Sequence, residues 1–63
     1  MRSARLLSML LLLQTRGRVT SAELASHFEV SQRTILRDVD ALSAAGIPVY
    51  TEQGMHGGIV LDR

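Results

Sequence analysis

Apolar residues recur at helical spacing along the first part of the chain, where Leu6, Met9, Leu10 and Leu13 share one face of a 3.6-residue wheel. The pattern predicts a helix over about residues 3–16, and Gly17 supplies the left-handed position that ends it. Arg18-Val19-Thr20 reads as a short extended link. Thr20 and Glu23 then have the spacing of a capping box, in which a hydroxyl and a carboxylate each accept a backbone N–H at a helix start. A second helix follows over about residues 21–28, with Leu24, Ala25 and Phe28 on its inner side. Glu29-Val30 leaves room only for a tight turn. Ser31 caps a third helix over about residues 32–45, whose Ile35, Val39 and Leu42 follow i, i+4, i+7 until Gly46 stops it.

Beyond Gly46 the period changes. Pro48-Val49-Tyr50-Thr51-Glu52 is rich in strand formers, Gln53-Gly54-Met55-His56-Gly57-Gly58 is turn chemistry, and Ile59-Val60-Leu61 is again strand-like. This predicts a β-hairpin over about residues 48–62. A lone hairpin is marginal in water, so it should lean on the helices with Val19 as a third short strand beside it. The expected fold is mainly α with a small β-hairpin, in one domain spanning residues 1–63 without repeats, low-complexity tracts or linkers.

Composition narrows this picture in two ways. A chain of 63 residues buries only about 60% of the surface it exposes when unfolded. With Phe28 and Tyr50 its only aromatics and no cysteine, it must fold on aliphatic packing alone. The start, Met1-Arg2-Ser3-Ala4-Arg5 followed by Leu6 to Leu13, imitates a secretory signal. Arg16 and Arg18, however, occupy the place where small residues at a cleavage site would be needed. The run is also far shorter than the ~18 apolar residues of a membrane span. A cytoplasmic protein is expected, with no membrane partner.

Net charge is only +1, but it is unevenly spread. Residues 1–37 carry six arginines against Glu23 and Glu29, giving +4; residues 38–63 carry Arg63 against Asp38, Asp40, Glu52 and Asp62, giving −3. Every basic residue is arginine, whose planar fork suits phosphates and guanine edges better than the point charge of lysine.

The second and third helices, joined by a short turn and locked by Leu24, Ala25, Phe28, Val30 and Ile35, fit a helix-turn-helix. In that arrangement the first turn of the third helix projects Gln32, Arg33 and Thr34 outward. Arg33 and Arg37, one turn apart, form a basic ridge opposite Ile35 and Val39. The positive end of the helix dipole and the free amides behind Ser31 add a second attraction for phosphate. The candidate DNA-binding residues are Thr20, Ser21, Ser31, Gln32, Arg33, Thr34, Arg37 and His56. Among them Arg33 and Thr34 are expected on phosphates, and Gln32 and Arg37 on base edges.

Glu23-Leu24-Ala25, Phe28-Glu29-Val30-Ser31, Arg33-Thr34-Ile35, Arg37-Asp38-Val39 and Leu42 together resemble the winged helix-turn-helix of DeoR-type bacterial regulators. Gly46-Ile47-Pro48-Val49-Tyr50 and His56-Gly57-Gly58 are similar to the N-terminal DNA-binding domain of regulators that carry a WYL ligand-sensing domain downstream. The resemblance implies a three-helix winged helix-turn-helix whose third helix reads DNA and whose hairpin is the wing. It carries recognition over to Ser31, Gln32, Arg33, Thr34 and Arg37. Two departures stand out. Glu29 occupies a place where many helix-turn-helix proteins have glycine, so a turn of different conformation is expected. The wing tip has no arginine, which leaves minor-groove contact to His56, Gln53 and backbone amides.

Blander readings compete at several positions. Arg37 could pair with Asp40 at i+3 on a solvated face, and Asp38 and Asp40 are expected to orient arginines or solvate the helix rather than read cytosine. Glu23 and His27 lie one turn apart, but with only His56 as a further nitrogen donor they make a poor metal site. Gly54, Gly57 and Gly58 lie between strands, not before a helix, and read as a hairpin turn instead of a phosphate loop. The serines lack a histidine and carboxylate arranged to activate them, so neither an enzyme nor a cofactor is expected.

The first helix is apolar nearly all round, with Leu11 about 140° from Leu6 on the wheel and Leu7 and Leu12 flanking the core stripe. An outer face of Leu7, Leu11 and Leu12 is expected to pack against a second protomer or a C-terminal sensor domain. The chain ends directly after the hairpin, as a domain cut from a longer protein would. A single module of this kind covers about 600–1,000 Å² of DNA, so dimerisation with half-sites near one helical turn apart is expected. The competing reading is a winged helix used for protein contact, with the leucine-rich first helix as its sticky surface.

Overall fold

The local signals at the helix ends determine where each element begins and stops. In the computed structural model, which describes residues 2–53 and 58–62, the order is α1 (Arg2–Arg16), β1 (Arg18–Val19), α2 (Ser21–Phe28), α3 (Gln32–Ala44), β2 (Val49–Glu52) and β3 (Gly58–Leu61). Gly17 ends α1 at φ +82° and donates its N–H to the Leu13 carbonyl at 2.7 Å. Thr20 caps α2 in a complete capping box with Glu23, and the Ser31 side chain accepts the Thr34 N–H at the start of α3.

Helices α2 and α3 end with the same pair of backbone bonds. After α3, the Gly46 N–H reaches the Ser43 carbonyl and the Ile47 N–H the Leu42 carbonyl, both at 3.0 Å. After α2, the Glu29 N–H reaches Ser26 at 3.3 Å and the Val30 N–H reaches Ala25 at 3.0 Å. Glycine normally fills the left-handed place in this motif because its missing Cβ removes the clash. Here Glu29 fills it, at φ 56° and ψ 45°. The expectation of a different turn conformation at Glu29 is therefore corrected: the backbone takes the glycine-like shape, because the two carbonyls of α2 still require donors.

The sheet has the order β1-β3-β2 and is antiparallel throughout. Val49 pairs with Leu61, Tyr50 with Val60 and Thr51 with Ile59, and Val19 pairs with Ile59 across the other edge. The hairpin thus acquires Val19 as its third strand, and its inward Val49 and Ile59 close one side of the core. Met9, Leu13, Val19, Leu24, Ala25, Ile35, Val39, Leu42, Val49 and Ile59 are buried together. Among the described residues, the three helices and small antiparallel sheet that the patterning predicts make up the winged helix-turn-helix that the resemblance implies.

Two leucines of α1 sit elsewhere than expected. Leu12 is half-buried and packs against the core, so the outer face reduces to Leu7 and Leu11, which are 59% and 54% exposed. Leu10 is half-buried at a groove it shares with Gln14, Ile47, Pro48 and Leu61, not in the core. Both shifts follow from the sheet, which sets the rotation of α1 by taking Met9 and Leu13 as its inward pair. No described helix is long and apolar enough to cross a membrane.

Candidate nucleic-acid interface

Helix α3 is positioned from behind by Ile35, Val39 and Leu42, which are all buried. Its opposite side carries Gln32, Arg33, Leu36, Arg37 and Asp40, all exposed. The first turn contains no acidic residue, so nothing on the helix itself offsets the positive end of its dipole. Ser31 Oγ accepts the Thr34 N–H at 3.1 Å and lies 3.0 Å from Thr34 Oγ1. Thr34 is consequently half-buried against its cap and projects less than Gln32 and Arg33.

The helix-turn-helix is also joined at its two N-terminal ends. Ser21 Oγ donates to Gln32 Oε1 at 3.0 Å, turning the amide oxygen of Gln32 toward α2 and leaving its NH2 directed elsewhere. Thr20 is committed to the capping box: its Oγ1 accepts the Glu23 N–H at 3.0 Å and its own N–H donates to Glu23 Oε1 at 3.4 Å. The sequence placed Thr20, Ser21, Ser31, Gln32, Arg33, Thr34 and Arg37 in one candidate set. The fold gathers them at the adjoining starts of α2 and α3 and along the first turns of α3. His56, the remaining candidate, lies outside the described residues, as do Gly54 and Gly57.

Charge pairing separates the arginines into two groups. Arg16 pairs with Glu23 at 3.3 Å, Arg18 pairs with Glu52, and Arg5 holds Asp38 through two bonds, Nε to Oδ2 at 2.5 Å and Nη2 to Oδ1 at 3.2 Å. Among the described residues, Arg33 and Arg37 make no hydrogen bond or ion pair. The Arg37–Asp40 pair that the spacing allows does not form. Positive charge on the described surface is therefore left uncompensated at the first two turns of α3.

The Arg5–Asp38 pair goes beyond the sequence expectation, which gives Asp38 an arginine-orienting role without naming the arginine. Asp38 is 1% exposed and lies on the same stripe as Ile35, Val39 and Leu42. Arg5 lies one turn before Met9 on the inward stripe of α1. A charge at a core position of each of two helices is the signal that could have matched them. The hydrogen bond to Asp38 raises the Arg5 guanidinium above its ordinary pKa. This contact ties α1 to α3 next to Arg37, and Arg5, Thr34, Arg37 and Asp38 line a cleft of about 170 Å³ there. Among the described residues, no buried side-chain polar atom lacks a partner and no group of three or more candidate metal ligands occurs.

Comparison with known proteins gives the same fold type. A family profile described as HTH domain matches residues 5–60. The chain is also 52% identical over 59 residues to the Uncharacterized HTH-type transcriptional regulator YobV of Bacillus subtilis (strain 168). That alignment covers 94% of this chain and 19% of the relative, so the chain spans about a fifth of the length of the curated relative it matches. No solved structure matches it. With the profile reaching from the inward arginine of α1 to the last strand of the sheet, the chain belongs to the helix-turn-helix (HTH) domain family.

Proposed function

We propose that this chain is a sequence-specific DNA-binding domain of a bacterial transcriptional regulator, with α3 as the helix that enters the major groove. The observation that carries this reading is the pair Arg33 and Arg37, exposed, one turn apart and without internal partners, on a Ser31-capped helix start with no acidic residue. Unpaired arginines on an exposed helix face retain their donors for phosphate or base acceptors. The 52% identity to a protein named as an HTH-type transcriptional regulator supports the regulatory role. The similarity of the C-terminal segment to DeoR-type, WYL-bearing regulators favours an N-terminal position in such a protein.

Within the interface, Gln32 and Arg37 read base edges, while Arg33 and Thr34 hold phosphates with the amides behind Ser31. Thr20 and Ser21 approach the backbone at the start of α2, and His56 supplies a contact from the wing. The test is selection of binding sites from random duplexes by the 63-residue chain, followed by salt titration of the best site with Arg33→Ala and Arg37→Ala. Arg37→Ala should relax sequence preference. Arg33→Ala should weaken all sequences alike and lower the salt slope by ~1. Equal, sequence-blind losses from both variants would refute the division, and salt-independent binding would refute the reading itself.

A second surface complements the first. Leu7 and Leu11 lie side by side on α1 at i, i+4 and are more than half exposed, an apolar strip facing away from the core. It is proposed as the seat of a second protomer or of a sensor domain in the longer protein. Leu7→Glu with Leu11→Glu should reduce the mass seen by light scattering, or the binding of an apolar dye, without reducing helix content. If mass and dye binding are both unchanged, the strip is simply solvated.

A further inference from the structure

Leu36 is an exposed leucine midway along α3, on the flank of its outward face. It is 45% exposed, while its helix neighbours Ile35, Val39 and Leu42 are buried. By helix geometry it lies one turn from Gln32 and Asp40, three residues from Arg33 and adjacent to Arg37. Leu36 is therefore an apolar patch between the core stripe and a polar border, and two members of that border are the arginines without internal partners. An exposed apolar side chain beside polar groups gains from an apolar counterpart that takes it out of water.

In the major groove, the apolar group that distinguishes one base from the others is the 5-methyl of thymine. Given that α3 enters the groove as proposed above, we infer that Leu36 is a specificity-determining residue that packs against a thymine methyl. Gln32 lies on the same line of the helix, one turn toward its N-terminus, and its amide is fixed by the Ser21 hydroxyl. Its NH2 faces acceptors on the neighbouring base pair while Leu36 covers the methyl. The described interface then reads an A·T-containing step through one amide and one leucine. Arg33 and Arg37, on the ridge beside them, anchor it.

The experiment uses the tightest duplex recovered from the random-sequence selection, with each thymine replaced in turn by deoxyuridine, which removes only the methyl. The 63-residue chain should lose about fourfold in affinity at one or two thymines, the value of one buried methylene-sized group. Leu36→Ala and Leu36→Gln, both at an exposed helix position, should bind more weakly and no longer distinguish thymine from uracil there. Arg33→Ala should still distinguish them. Sequence-specific binding by the wild-type chain that tolerates uracil at every position would overturn the inference about Leu36 and leave the proposed groove-reading helix intact. Persistence of the same methyl preference in both Leu36 variants would overturn it as well. Failure to select any duplex above random sequence would overturn the DNA-binding reading, and this inference with it.

Discussion

Helices α2 and α3 begin with the same device and use it for different purposes. Each starts on a hydroxyl side chain that accepts the N–H three residues on: Thr20 from Glu23, Ser31 from Thr34. The difference is the third helical residue. In α2 it is Glu23, which returns a bond to the cap, neutralises the dipole and receives Arg16 at 3.3 Å. In α3 it is Thr34, which brings no charge, and Arg33 and Arg37 on either side of it in the sequence stay unpaired among the described residues. One helix start is closed electrostatically and structural; the other is left positive and accessible. Formal charge counted along the chain hides this contrast, because Arg5, Arg16 and Arg18 contribute to the count while carboxylates from distant segments neutralise them.

Making the two starts alike should produce the largest effect. Thr34→Glu gives α3 the same third residue as α2, adding a capping bond to the Ser31 backbone and a partner for Arg37 one turn ahead. Thermal stability should hold or rise by up to ~1 kcal/mol, the usual value of an acid in the first turn. Affinity for the selected duplex should fall on the order of tenfold or more, because the new carboxylate occupies the proposed phosphate seat and engages Arg37. Thermal melts and salt-matched binding curves on the same preparation separate the two. If the variant binds DNA as well as wild type, the openness of α3 has no bearing on function.

Much of this contrast is legible in the sequence. The capping box, Ser31, Gly17 and Gly46 are local signals, each resolved within four residues, and they delimit the helices without tertiary information. The alternation in β2 and β3 and the leftover Val19 likewise indicate the three-stranded sheet. Contacts that close over long sequence separations were not legible. Arg5 and Asp38 are 33 residues apart, and although both fall on inward helix stripes, Arg16 shares the stripe of α1, so position alone does not single out Arg5 as the partner of the buried carboxylate. The rotation of α1 was hidden for a related reason: in a helix apolar on nearly every side, periodicity cannot choose between Leu12 and Leu10 for the core. The sheet makes that choice. The Ser21–Gln32 bond depends on how steeply α2 and α3 cross, which a pattern of apolar residues does not encode.

The ends of α2 and α3 offer a smaller, cleaner comparison, because the two motifs share their hydrogen bonds and differ in the residue at the left-handed position. Gly46 occupies it at φ +91° without steric cost, whereas Glu29 occupies it at φ 56° with a Cβ pressed toward its own carbonyl. The penalty for a non-glycine residue there is about 1–2 kcal/mol. Glycine returns part of that through its larger loss of backbone freedom on folding, roughly 0.5–1 kcal/mol. Glu29→Gly should therefore stabilise the chain by up to ~1 kcal/mol, measured as a rise in the urea midpoint at unchanged slope. The exposed Glu29 side chain accepts no described hydrogen bond, so its removal sacrifices no contact that would offset the gain. Deleting a negative charge beside the start of α3 should also strengthen duplex binding slightly, within about threefold at low salt, and the difference should vanish as salt rises. A fall in the midpoint would mean that the turn is held by Glu29 itself, and that its left-handed backbone is not a strain the two helix ends impose.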